Sequence, residues 1–164
     1  MLNGIEIANA YESLTHNPNC PEVRGAYAQF ALEIGQQFST LPVNILFVSY
    51  DAYKTSKEMF ADIDENNTLK IWSGGEPHEL MADVNLKFRA IHDYFGHYVG
   101  RNNFSYKGET EAYKTHSAMF SPLANKALFT ETIGQNSWFN FSPNNIDKPN
   151  ALRKFAEQKA GILI

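Results

Sequence analysis

Residues 43–74 read VNILFVSYDAYKTSKEMFADIDENNTLKIWSG. The first eight form an apolar, β-rich run bounded by Pro42 and Asp51, the pattern of a buried strand. TLKIWSG (68–74) alternates as a second strand does, between the turn-forming stretches DENN and GGEP. Between the two runs, TSKEMFADI (55–63) starts with Thr55 and Ser56, whose side-chain oxygens can cap a first helical turn. A small sheet, with strands near 43–50 and 68–73, is therefore expected in the first half of the chain.

Outward from this stretch the pattern is helical. IEIANAYESL (5–14) reads as a short helix before the turn signals of HNPNCP. From Pro21, which suits a first helical turn, Val23, Tyr27, Phe30, Ala31, Ile34 and Phe38 recur at steps of three and four. Downstream, Leu86, Phe88, Ile91, Tyr94, Phe95 and Tyr98 mark an apolar stripe through 84–98. Helices are also expected over 109–120 and 125–138. PNNIDKPN reads as a loop, and ALRKFAEQKAGILI as a closing amphipathic helix whose apolar tail docks on the core. The class is α+β, mostly helical, as one domain over 1–164. The many aromatic residues in these stripes are read as core packing rather than a cofactor box.

Composition excludes several functions. The net charge is −4 and the fourteen Lys and Arg residues are scattered, so no basic stripe gives the footprint of a DNA or RNA binder. Cys20 is the only cysteine, which rules out an intrachain disulfide and a cysteine-ligated zinc site. A metal would have to be held by His and carboxylate, a donor set suited to iron, manganese or catalytic zinc. MLNGIEIANA lacks the basic and apolar regions of a signal peptide, and PVNILFV is too short to span a bilayer. The expectation is a soluble, cytoplasmic protein.

Groups able to carry chemistry gather late in the chain. HDYFGH (92–97) holds His92, Asp93 and His97, followed by Glu109, Glu111, His116, Glu131 and Gln135. On a regular α-helix five residues turn through about 500°, leaving His92 and His97 about 140° apart. Gly96 and the following VGRNN would allow the helix to end there, letting His97 turn back toward His92. Glu109 and His116, seven apart, share a helical face, as do Glu131 and Gln135, four apart. Carboxylates and amides in such aromatic surroundings are costly unless paired or ligated, so a buried polar site is expected. Plainer roles exist for each. Asp93 can pair with His97, Glu109 can favour a helix N-terminus, His116 can sit in the core, and Glu131 can pair with Lys126 or Arg101. Glu111 and His16 read as solvated, and His78 as a capping or surface residue.

His-Asp-x-x-Gly-His followed by Glu131-Thr-Ile-Gly resembles the iron site of the aromatic amino acid hydroxylases, over about forty residues of the chain. That resemblance implies His92, His97 and Glu131 as two histidines and one carboxylate on iron, with Asp93 standing where the family has glutamate. No pterin-binding segment is recognisable. The longer run from FRAIHDYFGH through GETEAYKTHSAMFSPLANKALFTETIGQNSWFNF also resembles a family of small proteins encoded mainly by bacteriophages, from the strand at 43 to the closing EQKAGIL. It implies a set of pattern residues, among them His92, Asp93, Gly96, His97, Gly108, Glu109, Ala112, His116, Glu131 and Gln135, and no activity. His92-Asp93 is also similar to the HD-domain metallohydrolases, but His78 lies too near to serve as their upstream histidine.

The leading expectation is a mononuclear Fe(II) oxygenase-like enzyme acting on a small molecule or nucleotide. Its metal ligands would be His92, His97 and Glu131, with Glu109, His116 and Asp93 as orienting or acid–base groups. Gln135, Asn136 and Ser137 would bind substrate, and no organic cofactor is recognisable. A zinc or manganese hydrolase, in a dinuclear version recruiting Glu109 and His116, is the alternative. The third reading is a phage-type accessory protein that binds a protein partner, its His/Glu cluster a buried hydrogen-bond network.

Overall fold

Helix α1 (Gly4–Ser13) opens the described chain, its first turn closed by a reciprocal pair of hydrogen bonds between Asn3 and Glu6. The computed structural model describes residues 3–75, 78–149, 153–154 and 156–163. α2 (Pro21–Phe38) follows, with Pro21 in its first turn. Then come β1 (Asn44–Val48), α3 (Ser56–Asn66) and β2 (Thr68–Trp72). The strands pair in parallel, Asn44 opposite Thr68 through Val48 opposite Trp72, with α3 as the crossover that parallel pairing requires. Thr55 caps α3 through the Glu58 N–H, and Asn67 ends it in the left-handed region at φ 49°. The further elements among the described residues are helices: α4 (Asn85–Ile91), α5 (Tyr106–Ser117), α6 (Pro122–Phe129), α7 (Gln135–Phe141) and the short α8 (Pro143–Ile146). The molecule is thus α+β and mostly helical, and no helix among the described residues is long and apolar enough to cross a membrane.

Among the described residues two segments are π-helical: His92–Tyr98, which continues α4, and Thr130–Gly134, which joins α6 to α7. In each the backbone bonds to the fifth residue rather than the fourth, as in the 2.9 Å bond from the Val99 N–H to the Tyr94 carbonyl.

Two apolar clusters lie on either side of α4 and its π-helical extension. In the larger one Phe30, fully buried, meets Phe88 and Phe120 at ring-centroid distances of 5.1 and 5.2 Å, with Tyr27, Ile34, Ile91 and Leu128 around them. The smaller one packs Met59 and Ile63 of α3 with Leu69 and Ile71 of β2 and Ala90 of α4, and Tyr94 and Tyr98 close over it. The segment that carries HDYFGH is therefore held from both faces.

Three expectations are corrected. β1 is not a buried strand: Leu46 and Phe47 are 48% and 47% exposed, whereas Leu69 and Ile71 of β2 are buried. The apolar groups of α3 pack on β2, and β1 is left as the outer strand of a two-stranded sheet. The helix expected over the closing fourteen residues is not found in their described part. Residues 156–163 form an irregular strap held by hydrogen bonds to α1, to the turn after it and to Thr130. Ala160 and Ile162 of that strap are buried, so the tail does dock on the core. Part of PNNIDKPN is helical, as α8.

Phe30→Ala removes the ring about which the larger cluster is assembled. A loss of about 3–5 kcal/mol in unfolding free energy is expected, read from denaturant titration.

Candidate metal centre

His92 and His97 come together because HDYFGH is π-helical. Bonding to the fifth residue sets residue 97 nearly above residue 92, where an α-helix would swing it away. The two rings meet edge to face with centroids 5.1 Å apart. The chain does leave the helix soon afterwards, as Gly96 and VGRNN suggested. Asn102 closes that exit, its backbone N–H returning to the His97 carbonyl at 2.9 Å and its side-chain amide donating to the Gly96 carbonyl at 2.8 Å.

α5 crosses this segment where both are small. A Cβ on Gly96 would sit 3.2 Å from the Ala112 carbonyl oxygen and 3.3 Å from the Ala112 Cβ, a tight fit that glycine relieves. Gly108 is tighter still, since a Cβ there would lie 1.9 Å from the Asn103 carbonyl oxygen. Close packing at Ala112 brings Glu109 and His116, two turns apart on one face, to opposite sides of the His92 ring. Glu109 Oε2 lies 3.6 Å from His92 Nε2 and 3.3 Å from His97 Nε2. His116 Nδ1 lies 3.3 Å from His92 Nδ1.

His92, His97 and Glu109 thus form a two-histidine, one-carboxylate group whose ligand atoms all lie within 4.8 Å of one another, a spacing one metal ion can bridge. His97 is almost fully buried, and its Nδ1 is 3.1 Å from the Asn102 carbonyl, which can only accept. Nδ1 therefore carries the hydrogen and the Nε2 lone pair of the neutral ring faces Glu109.

In the metal-free protein Glu109 favours a proton at that position. Burial alone would lower the His97 pKa, but the hydrogen bond and charge of Glu109 outweigh it and raise the pKa above its ordinary value. Burial would likewise raise the Glu109 carboxyl. The close approach of His92 and His97 and the charge they carry instead hold it down to about 2. His116 is pushed well below the usual histidine range, by burial first and then by the charges of His92 and His97. Asp93 lines the cavity beside this group, and burial lifts its carboxyl above the ordinary range against the pull of His97 and His92.

Glu131, the carboxylate expected on the metal, is held elsewhere, and Glu109 takes its place beside the histidines. The π-helical turn at 130–134 directs Glu131 toward α2, where it accepts a hydrogen bond from the Tyr27 hydroxyl at 2.6 Å and one from Gln135 Nε2 at 2.6 Å. Lys126 and Arg101 do not reach it; they pair with Glu22 and Asp64. His78, expected as a capping or surface residue, is buried and stacks on Tyr27 at 4.7 Å. Its Nδ1 accepts from the Leu80 N–H at 3.0 Å, so the hydrogen is on Nε2, facing the Lys159 carbonyl at 3.3 Å and Glu131 at 3.5 Å. Nothing in the spacing of His78, Tyr27 and Glu131 along the chain marks them as neighbours.

The two polar groups share a cavity of about 1100 Å³. His92, Asp93 and Glu109 line one part of it, and His78, Glu131, Gln135 and Asn136 another, with Phe88, Phe104, Phe139 and Trp72 as apolar walls. Ser137, expected with Gln135 and Asn136, is fully buried outside this lining and meets the Tyr106 hydroxyl at 3.1 Å. Glu111 pairs with Lys114, and His16 with Glu79, both in solvent-accessible positions. Comparison with protein families, with characterised proteins and with solved structures gives no match, so what the site can do is argued from its own geometry.

The pKa directions set a pH window. The stability that His97 contributes is complete below its ordinary pKa of 6.5 and is lost as pH rises through its raised folded value. That of Glu109 is complete above its ordinary 4.5 and is lost as pH falls toward about 2. In metal-free protein, Glu109→Gln is therefore expected to lower the thermal midpoint most in the mildly acidic interval between those ordinary values. A cost that kept growing into alkaline pH would contradict the ion pair.

Proposed function

We propose that the chain is a metal-dependent enzyme whose single ion is held by His92, His97 and Glu109. The reading carried over from the sequence is a non-haem Fe(II), oxygenase-like site acting on a small molecule or nucleotide. The observation that carries it is the convergence of two imidazole nitrogens and one ionised carboxylate on an ion-sized point at the wall of a large cavity. The donor set fits such an ion. Glu109 is a carboxylate across the whole physiological range, and the far nitrogen of His97 is fixed by a backbone carbonyl. The likeness of HDYFGH to the iron site of the aromatic amino acid hydroxylases favours iron, with Glu109 in the role of the carboxylate ligand.

A divalent ion held by three protein groups would keep open positions for substrate and would supply Lewis-acid or, as iron, redox chemistry. The chain's own residues do the rest. Phe88, Phe104, Phe139 and Trp72 give a planar or apolar substrate surfaces to lie against. Gln135 and Asn136 offer amides to its polar groups from the other part of the cavity. Asp93, beside the ligands and facing the cavity, is placed to take or return a proton.

Asp93 also favours a second reading, a zinc or manganese hydrolase, in which it is the base. The dinuclear version is disfavoured because both ring nitrogens of His116 are engaged, one by His92 and one by Gln37.

Metal content of protein purified without chelator or polyhistidine tag tests the reading. About one equivalent of metal is expected in the wild type and in Glu131→Gln, with stoichiometric binding lost in His97→Ala and Glu109→Gln. Iron would direct the next assays to oxygen consumption, zinc or manganese to hydrolysis. Loss of metal in Glu131→Gln with retention in Glu109→Gln would return Glu131 to the ligand set. Folded wild-type protein that stays empty when Fe(II), Mn(II) and Zn(II) are offered would leave the cluster as a hydrogen-bond network.

A further inference from the structure

His92 has two ring nitrogens, and the one facing Glu109 can hold a metal only if the other carries the hydrogen. What settles this lies outside the ligand group. His92 Nδ1 is 3.3 Å from His116 Nδ1, and His116 Nε2 is 2.8 Å from Gln37 Oε1. Gln37 Nε2 in turn donates to the backbone carbonyl of Met119 at 3.1 Å. His116 is fully buried, with the rings of Phe95 and Phe120 centred 6.0 and 4.9 Å from its own, so its orientation is fixed by packing.

Two proton arrangements are self-consistent along this chain. In one, Gln37 presents its oxygen, His116 donates from Nε2 and accepts at Nδ1, and His92 donates from Nδ1, leaving its Nε2 lone pair toward Glu109. In the other every donor is reversed: Gln37 presents its amide nitrogen, and His92 carries its hydrogen on Nε2, pointing at Glu109. The Met119 carbonyl decides between them. It can only accept, so an amide reversed to satisfy the second arrangement would bring two oxygens together in a buried place.

We infer that Gln37, at the end of α2, is a positioning residue for the metal centre: through His116 it selects the His92 tautomer that presents Nε2 to the ion. The inference rests on the metal reading proposed above for its purpose, but the tautomer itself can be read without metal. It also accounts for a buried amide in the last turn of α2, whose hydrogen-bonding capacity is spent on His116 and on the turn that follows α5.

The test is long-range proton–nitrogen correlation spectroscopy on protein carrying ¹⁵N-labelled histidine, at mildly alkaline pH, metal-free and with Zn(II) as a diamagnetic probe. The wild type is expected to show His92 with its hydrogen on Nδ1 in both states. Gln37→Met, which keeps the bulk and loses the acceptor, is expected to mix the His92 tautomers. It should also weaken Zn(II) binding roughly 10- to 100-fold, read by competition with a chelating dye. His92 carrying its hydrogen on Nε2 in the metal-free wild type would overturn the inference, and this needs no variant to fold. So would a folded Gln37→Met whose His92 tautomer and Zn(II) affinity match the wild type. An Nδ1–H tautomer in a protein that binds no Zn(II) supports the tautomer control and removes the metal reading instead.

Discussion

The contact between Gly96 and Ala112 is the constraint on which the site depends. At that crossing the π-helical segment and α5 approach with no side chain larger than a methyl group between them. One face of α5 then straddles the His92 ring, Glu109 at Nε2 and His116 at Nδ1. A Cβ on Gly96 would press on Ala112 and on the His92 ring at 3.2 to 3.3 Å, so that a neighbour would have to give by a few tenths of an ångström. The geometry of the ligands is thus a packing result, reached before any ion is considered.

Around that crossing the fold acts as a clamp. The strand–helix–strand unit presses on α4 and its extension from one side through Ala90, Tyr94 and Tyr98, and the Phe30 cluster presses from the other through Phe88 and Ile91. Bonding to the fifth residue strains a helix and is rarely found in long runs. Here it is held by packing on both faces and by Asn102 at its end. The second π-helical segment, at 130–134, delivers Glu131 to Tyr27, Gln135 and His78. The cavity therefore has two differently built polar regions. In one, nitrogen and oxygen lone pairs converge on a point that calls for a cation. In the other, a buried carboxyl is already met by a hydroxyl, an amide and an imidazole N–H, and burial raises its pKa.

The sequence by itself determined the helical flanks, the inserted strand–helix–strand unit and the identity of the chemistry-bearing segments. These follow from local periodicity, capping and turn chemistry, each set by residues a few positions apart. The shared face of Glu109 and His116 was legible for the same reason, and so was the need for partners around so many polar groups in aromatic surroundings. Tertiary structure alone decided which carboxylate joins the histidines, because Glu109 and Glu131 have equal claims until α5 is seen packed on Gly96. It alone made HDYFGH π-helical, since no local signal separates a turn of that kind from an α-helix about to end. It alone brought Gln37, Tyr27 and His78 into the polar networks, across sequence separations of 79, 104 and 53 residues from His116, Glu131 and Glu131 respectively. Periodicity reports which face of a helix is buried; what that face meets is settled by how the helices close on one another.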